Sequence, residues 1–473
     1  MRHPHLEWRN MKKGDVFEGL VIKTEFPNKG LMEIDGNKIR VKGVLAGQKI
    51  RFSIKRKRSG QCEGKLMEVL EKSPLQDREA PCIHFGKCGG CSYQDLSYGN
   101  QLEMKSAQVK EILDSVCPDY LFEGILPSPS EWEYRNKMEF SFGDEFMDGP
   151  LALGLHRKNS FHDIVNITDC RIVDNDFNEI LKCVLNHFDG KEIPFYHKMR
   201  HEGYLRHLLV RRAATTGEIL INLVTASGEA ENAVYEAAAD YEGLIKALLA
   251  LSLNGTIVGI AHVINDSMAD VVKSDQTDSL FGRDYIQENI LGLNFKVSAF
   301  SFFQTNSLGA EVLYGKARQY AGETKDKVIF DLYSGTGTIA QMLAPIAKKT
   351  VGVEIVGEAV EAARINAAGN NLNNCEFIVG DVLKVMDDLQ DKPELIILDP
   401  PRDGVHPKAL EKIAEFGADT IVYISCKPSS LERDMYSLQE AGYKVVKACA
   451  VDMFPQTVHV ETVVMLTRSE ATK

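Results

Sequence analysis

The 473-residue chain has no long uninterrupted apolar run and no signal-like start, so a soluble, cytoplasmic protein with no membrane partner is expected. Disulfides are equally poorly supported. Ten cysteines, at 62, 82, 88, 91, 117, 170, 183, 375, 426 and 449, are too few to staple a chain this long, and any clustering among them points to metal or catalysis instead. Cations are also short, with 55 Lys and Arg against 67 Asp and Glu and a formal net charge of −12. At first sight that deficit argues against a nucleic-acid partner, because phosphates are gripped by Lys and Arg. The deficit is uneven, however: the first 80 residues carry 18 Lys and Arg and 11 Asp and Glu, a surplus of seven that leaves −19 for the remainder. The densest basic run, Lys55-Arg56-Lys57-Arg58, reads by itself as a solvated strand end or loop.

At 44% hydrophobic and 26% charged, the composition is that of a globular protein, and the length calls for two or three domains. Strand-like runs at 15–21, 31–34, 38–41, 49–54 and 64–70, separated by turn residues, predict a small β-barrel within residues 1–75. Pro74 and Pro81 mark a boundary, after which a Cys/Gly-rich segment and a helix starting near Tyr98 open a central α+β unit at 76–295. Within it, 138–142 reads as a strand and 230–251 as helical. In the last unit, 296–473, apolar runs at 328–332, 351–353, 377–379, 395–398 and 421–424 alternate with helix-length segments. This predicts an α/β fold with a parallel sheet whose ligands sit beyond the carboxyl ends of the strands.

After the first run comes Asp331-Leu332-Tyr333-Ser334-Gly335-Thr336-Gly337-Thr338, a glycine-bearing turn that lets a ligand approach backbone donors at a helix start. Glu354 ends the second run, where a carboxylate can accept from ribose hydroxyls, and Asp381 follows the third. The loop alone serves a methyl donor and a dinucleotide equally, since Gly335-x-Gly337-x-x-Ala340 also fits the dinucleotide fingerprint. Asp399-Pro400-Pro401-Arg402, after the fourth run, favours the methyl donor, because a nicotinamide enzyme has no evident need for an acid followed by two rigid prolines. The fifth run ends at Ser425-Cys426-Lys427-Pro428, placing a thiol over the same sheet edge, and His459-Val460-Glu461 lies near the end of the chain. A buried structural cysteine and a solvated strand glutamate are the ordinary fates of such residues.

Taken together, Phe303-Gln304-Thr305-Asn306, the 331–337 loop, Val353-Glu354, Gly380-Asp381, Asp399-Pro400-Pro401-Arg402, Ser425-Cys426-x-Pro428 and His459-Val460-Glu461 resemble, in order, the RNA uracil-5-methyltransferase family. The resemblance implies a class I Rossmann-like S-adenosylmethionine domain. It also implies Cys426 as the nucleophile that adds to uracil C6, and Glu461 as the base that removes the C5 proton. Donor contacts from Gln304, Tyr333, Gly335, Glu354 and Asp381 follow, with Asp399 at the junction of donor and uracil. Ser334 stands where many members carry Cys, and Lys427 where Asn is common, which leaves the setting of Cys426 open.

Cys82-x5-Cys88-x2-Cys91 gathers three thiols in one loop, a pattern for iron–sulfur or zinc ligation, and spacing leaves the fourth ligand open among Cys117, Cys170 and Cys183. The cluster-bearing subset of the family carries this loop and a distant Cys in the context of Cys170, which implies Cys170 and a [4Fe–4S] cluster. The N-terminal strand pattern resembles a TRAM domain, an RNA-binding module. An RNA substrate follows, with 23S ribosomal RNA favoured by the cluster-bearing resemblance and transfer RNA the alternative; the enzyme is expected to be monomeric. A non-catalytic RNA-binding assembly factor is the competing class, disfavoured by the presence of both Cys426 and Glu461.

Overall fold

The computed structural model describes residues 11–58, 61–117, 119–227, 233–268 and 273–468. The first strands form a six-stranded sheet in the spatial order Val16–Leu20, Lys49–Arg58, Gln61–Glu71, Asn37–Lys42, Lys29–Ile34, Lys23–Glu25. The sheet wraps its own apolar set, including Val21, Met32, Ile39, Val41, Ile50, Phe52 and Ile54. Gly30 and Gly64 permit the tight wrap: a Cβ on either would lie within 3 Å of Val21 and Val44 or of Phe52 and Val41. Lys55–Lys57 lie within a strand rather than a loop and are exposed.

A second sheet has seven strands, ordered Ile164–Asn166, Ala152–His156, Lys137–Gly143, Leu205–Arg212, Glu218–Thr225, Thr256–Ile264, Gln276–Gly282. Helices Asn175–Phe188 and Tyr241–Leu249 contribute to its apolar core. The helical stretch expected at 230–251 is interrupted, and its first residues, 230–232, lie outside the described residues. Asp240, with φ of 50°, caps the second helix by accepting from the Gly243 N–H, so the chain starts a new helix there.

The third sheet positions the site. Its order is Cys375–Val379, Lys349–Glu354, Val328–Leu332, Leu395–Leu398, Thr420–Ser425, Glu461–Arg468, Tyr443–Val451, Leu121–Leu126. The first five are parallel, and Glu461–Arg468 runs antiparallel to its neighbours. Alternate residues of the parallel strands enter opposite cores. Phe330, Leu332, Ile396, Leu398 and Tyr423 face the helices Tyr98–Asp114, Pro407–Glu415 and Pro428–Glu440. Ile329, Leu395, Ile397, Val422 and Ile424 face Ser307–Ala321 and Thr338–Leu343. The edge strand Leu121–Leu126 and the helix before it come from the segment expected in the central unit, yet they complete this sheet and its core. Among the described residues no helix is long and apolar enough to cross a membrane.

Candidate active site

At the carboxyl ends of the parallel strands lies a cavity of about 1020 Å³. Gln304, Tyr333, Gly335, Glu354, Asp399, Cys426 and Glu461 all line it. The meeting of the last three is a consequence of strand pairing. Leu398 pairs with Tyr423, so Asp399 leaves the sheet beside the strand that ends at Ser425. Ser425 lies opposite Thr462 in an antiparallel register, which sets the next residue, Cys426, against the preceding one, Glu461. Cys426 and Glu461 are 35 positions apart in sequence and face each other because a hairpin turns the last strand back.

The electrostatics are those of buried acids crowded together. Burial, reinforced by the neighbouring Asp399 charge, raises Glu461 to about 8, with Arg402 opposing. Burial raises Asp399 to about 7. The Cys426 thiol is pushed up to about 11, first by burial and then by the Glu461 and Asp399 charges, with Arg402 pulling it back. Near neutral pH, therefore, the free site holds a thiol and mostly protonated Glu461. Arg402 is the cation available to stabilise negative charge as it develops.

The glycine loop is shaped for close approach. Tyr333, Gly335 and Gly337 have φ of 69°, 53° and 71°, and a Cβ on Gly337 would lie 2.4 Å from the Phe377 ring. Asp331 accepts from the Ala340 N–H at 2.9 Å, tying the strand end to the following helix. Glu354 accepts from the Gly335 N–H at 3.0 Å through one oxygen and from the Val356 N–H at 2.9 Å through the other. The buried Ser334 hydroxyl, also in the cavity wall, has no hydrogen-bond partner. Asp381 is not in the wall; its carboxylate accepts from the Leu383 N–H at 3.0 Å and caps a short helix. Tyr314 was not legible in the sequence: it is buried on a helix face that otherwise reads as core, lines the cavity and hydrogen-bonds the Gln304 side chain.

Cys82, Cys88, Cys91 and Cys170 line a second cavity of about 360 Å³, whereas Cys117 and Cys183 do not. The loop is anchored by Gly89 N–H donating to the His156 carbonyl and by a bridge between Cys88 and Arg157. Cys170 is held by Asn178, which accepts from its N–H and donates to its carbonyl. Burial raises the Cys91 thiol to about 12 and Cys170 to about 11, with charges on the other cysteines adding to both. Four thiolates therefore require a cation among them. Among the described residues no group of three or more His, Cys, Asp or Glu is arranged around a single metal ion. Phe454 lines both cavities, and His459, two residues before Glu461, lines the second.

Comparison with known proteins gives a consistent result. Residues 265–469 match the family model described as tRNA (uracil-5-)-methyltransferase. An uncharacterized RNA methyltransferase of Clostridium tetani is 48% identical over 97% of this chain and 99% of its own. Another, from Caldanaerobacter subterraneus, is 45% identical over 97% of this chain and 100% of its own. Among solved structures, the Pyrococcus abyssi tRNA (uracil-54, C5)-methyltransferase in complex with S-adenosyl-L-homocysteine superposes with a TM-score of 0.73 at 26% identity, covering 95% of this chain and 99% of the other.

Proposed function

The chain belongs to the RNA uracil-5-methyltransferase family, and from that premise we propose that it methylates its uridine through a covalent bond to Cys426, with Glu461 as the final base. The observation that carries this is the pairing of Ser425 with Thr462, which sets the thiol against the carboxyl in the lining of the cavity beside Asp399.

Uracil C5 is a weak nucleophile, so catalysis must raise its electron density. The Cys426 sulfur adds to C6 as its proton passes to water, and the C5=C6 π electrons move toward C5 and the adjacent carbonyl. Arg402 is the cation near that charge. S-adenosylmethionine supplies an electrophilic methyl, which C5 accepts as the donor sulfur leaves with its bonding pair. Glu461, once it has released its own proton to water, takes the C5 proton as carboxylate; C5=C6 reforms and the Cys426 thiolate departs. Gln304, Tyr333, Gly335 and Glu354 would hold the donor, with Asp399 at its junction with the uracil; Asp381, outside the cavity lining, caps the helix that begins at Val382.

The four cysteines suit a [4Fe–4S] cluster: they line one cavity, and the raised thiols of Cys88, Cys91 and Cys170 need positive charge to ionise. Zinc would also accept four thiolates, but its bonds of about 2.3 Å draw them tightly around one ion. The cluster would supply structural cross-linking of the loop to Cys170. The first sheet, with exposed Lys55–Lys57, serves as a TRAM-like RNA grip, and residues 76–295 and 296–473 as cluster-bearing and methyltransferase units, except that Tyr98–Asp114 and Leu121–Leu126 belong with the methyltransferase sheet and its core. We favour 23S ribosomal RNA because of the cysteine loop. The Pyrococcus abyssi neighbour is a tRNA (uracil-54, C5)-methyltransferase, which supports transfer RNA as the second reading.

A 5-fluorouridine RNA tests the mechanism, because fluorine cannot leave as a cation. With donor present, a denaturation-resistant adduct at Cys426 is expected, absent in Cys426→Ala. Glu461→Gln should give the same adduct with ordinary uridine. If neither arises, covalent catalysis at Cys426 is wrong. Mapping 5-methyluridine in ribosomal and transfer RNA from cells with and without the gene decides the substrate.

A further inference from the structure

One wall of the donor cavity, including residues 300–304, is a connection between the hairpin strand Leu293–Ser298 and the helix Ser307–Ala321. Its carbonyls are not left to solvent. Arg211, on the central strand Leu205–Arg212, is only 2% exposed. It donates from Nε to the Ala299 carbonyl at 3.1 Å and from a terminal nitrogen to the Ser301 carbonyl. Asn136, just before the strand Lys137–Gly143, donates from its side-chain amide to the Gln304 carbonyl at 3.1 Å and from its backbone to the Thr305 carbonyl at 2.8 Å. The same amide donates to the Ser307 hydroxyl at 2.8 Å, which donates to the buried Glu288 at 2.5 Å. Glu288 in turn accepts from the N–H groups of Ala214 and Thr215, in the turn following the Arg211 strand.

We propose that Arg211 and Asn136 are positioning residues for the methyl donor, reaching from the central sheet to fix the wall that presents Phe302, Phe303 and Gln304. The proposal rests on the reading of Gln304 as a donor contact.

The energetics point the same way. A fully buried guanidinium carries a desolvation cost that an apolar side chain of similar size avoids. Burial lowers Arg211 only to about 10, so it remains charged at neutral pH. Its described hydrogen bonds go to the wall's backbone, and what they fix is the direction of peptide groups flanking the cavity. A wall freed of them keeps its residues but samples orientations that do not bind, so the cost falls on donor affinity.

The test uses the full-length enzyme, with calorimetric Kd for S-adenosylhomocysteine and steady-state kinetics on RNA. Arg211→Met should raise donor Kd and donor KM about tenfold or more, with kcat at saturating donor and RNA affinity within about twofold of the parent. Arg211→Lys should recover part of the loss, and Asn136→Ala should shift the same parameters. A donor Kd within about twofold of the parent in Arg211→Met overturns the proposal, as does a loss of kcat and RNA affinity equal to the loss of donor affinity, which would mark a general architectural role. If Arg211→Met does not fold, Arg211→Lys and Asn136→Ala decide by the same donor Kd. Gln304→Ala separates the two failures. A normal donor Kd there refutes the donor contact and takes the proposal with it; a weakened one beside a normal Kd in Arg211→Met refutes the brace alone.

Discussion

Replacing Glu461 by Gln should stabilise the protein, and by an amount that grows with pH. The carboxyl is 4% exposed and its folded value is about 8, against an ordinary 4.5. Between those values the folded state holds a proton that the unfolded chain releases, so the side chain costs more stability as pH rises through the window and nothing further above it. With one pH unit equal to about 1.36 kcal/mol, the cost is about 1 kcal/mol near pH 5, about 3 at pH 7 and about 4 near pH 8. Glutamine has nearly the same shape and does not ionise, so its curve lacks this slope. Any loss of local packing or hydrogen bonding adds an offset independent of pH, which cancels when two pH values are compared. A chain of 473 residues has an unfolding entropy of about 1 kcal/mol per kelvin, so the melting difference between variant and parent should widen by about 3 °C from pH 5 to pH 8. Thermal or urea unfolding of both proteins at the two pH values checks this. Parallel curves with a constant gap would show that Glu461 is ionised alike in both states, and the description of it as a buried acid would fall. A widening gap would mark Glu461 as a residue held at the expense of stability.

Three other outcomes are expected. Anaerobically purified protein should be brown, with charge-transfer absorption near about 400 nm that Cys170→Ala abolishes; colourless protein with stoichiometric zinc would reject the cluster. Replacing exposed Lys55, Arg56 and Lys57 by Ser should weaken RNA binding and make the slope of log K against log salt shallower by about one to three, with donor affinity unchanged; an unchanged slope would move the RNA grip elsewhere. Lys105 and Asp452 form an ion pair at 2.7 Å with both side chains fully buried, so Lys105→Met alone should cost about 3–5 kcal/mol in urea unfolding, and adding Asp452→Leu should return much of it; a near-neutral single variant would refute the pairing.

The parallel strands were legible because strands covered on both faces are continuously apolar, and the chemistry stands where such runs stop. Glu354, Asp399 and Cys426 follow that rule, whereas Asp331 lies within its strand. What faces Cys426 was not legible from pattern. Only the register of the last strand decides that Glu461, and not a neighbour, meets the thiol, and register is a tertiary property. The same holds for Cys170, which spacing could not distinguish from Cys117 or Cys183 and which the fold places beside the loop. The edge strand Leu121–Leu126 joins a sheet whose other strands begin more than 200 residues later, a non-local pairing with no local signal. Arg211 is one of three arginines in the strand Leu205–Arg212, and nothing local marks it out; its meaning lies in carbonyls about 90 residues away.

The segment leading into Glu461 shows how the parts of the chain depend on one another. Asp452 is held by Lys105, which also donates to the Phe454 carbonyl. The Pro455 carbonyl accepts from the Tyr134 hydroxyl. Gln456, with φ of 67°, exchanges hydrogen bonds with Gln101, and its carbonyl accepts from the N–H groups of Ser92 and Tyr93, directly after Cys91. The backbone that leads into the Glu461 carboxyl is thus fixed largely by residues 92–134, which precede the central sheet in the chain, with Asn306 donating to the Met453 carbonyl and Arg78 to the Gln456 side chain. Such a segment cannot be ordered by the C-terminal strands alone, because its buried polar groups would lose their partners. The cysteine loop belongs to the same frame: the proposed cluster, by tying it to Cys170, would restrain the N–H groups that hold Gln456, five residues before Glu461. A cross-link there would serve the proposed reaction, which needs no electron, by holding in place the backbone from which its proposed base projects.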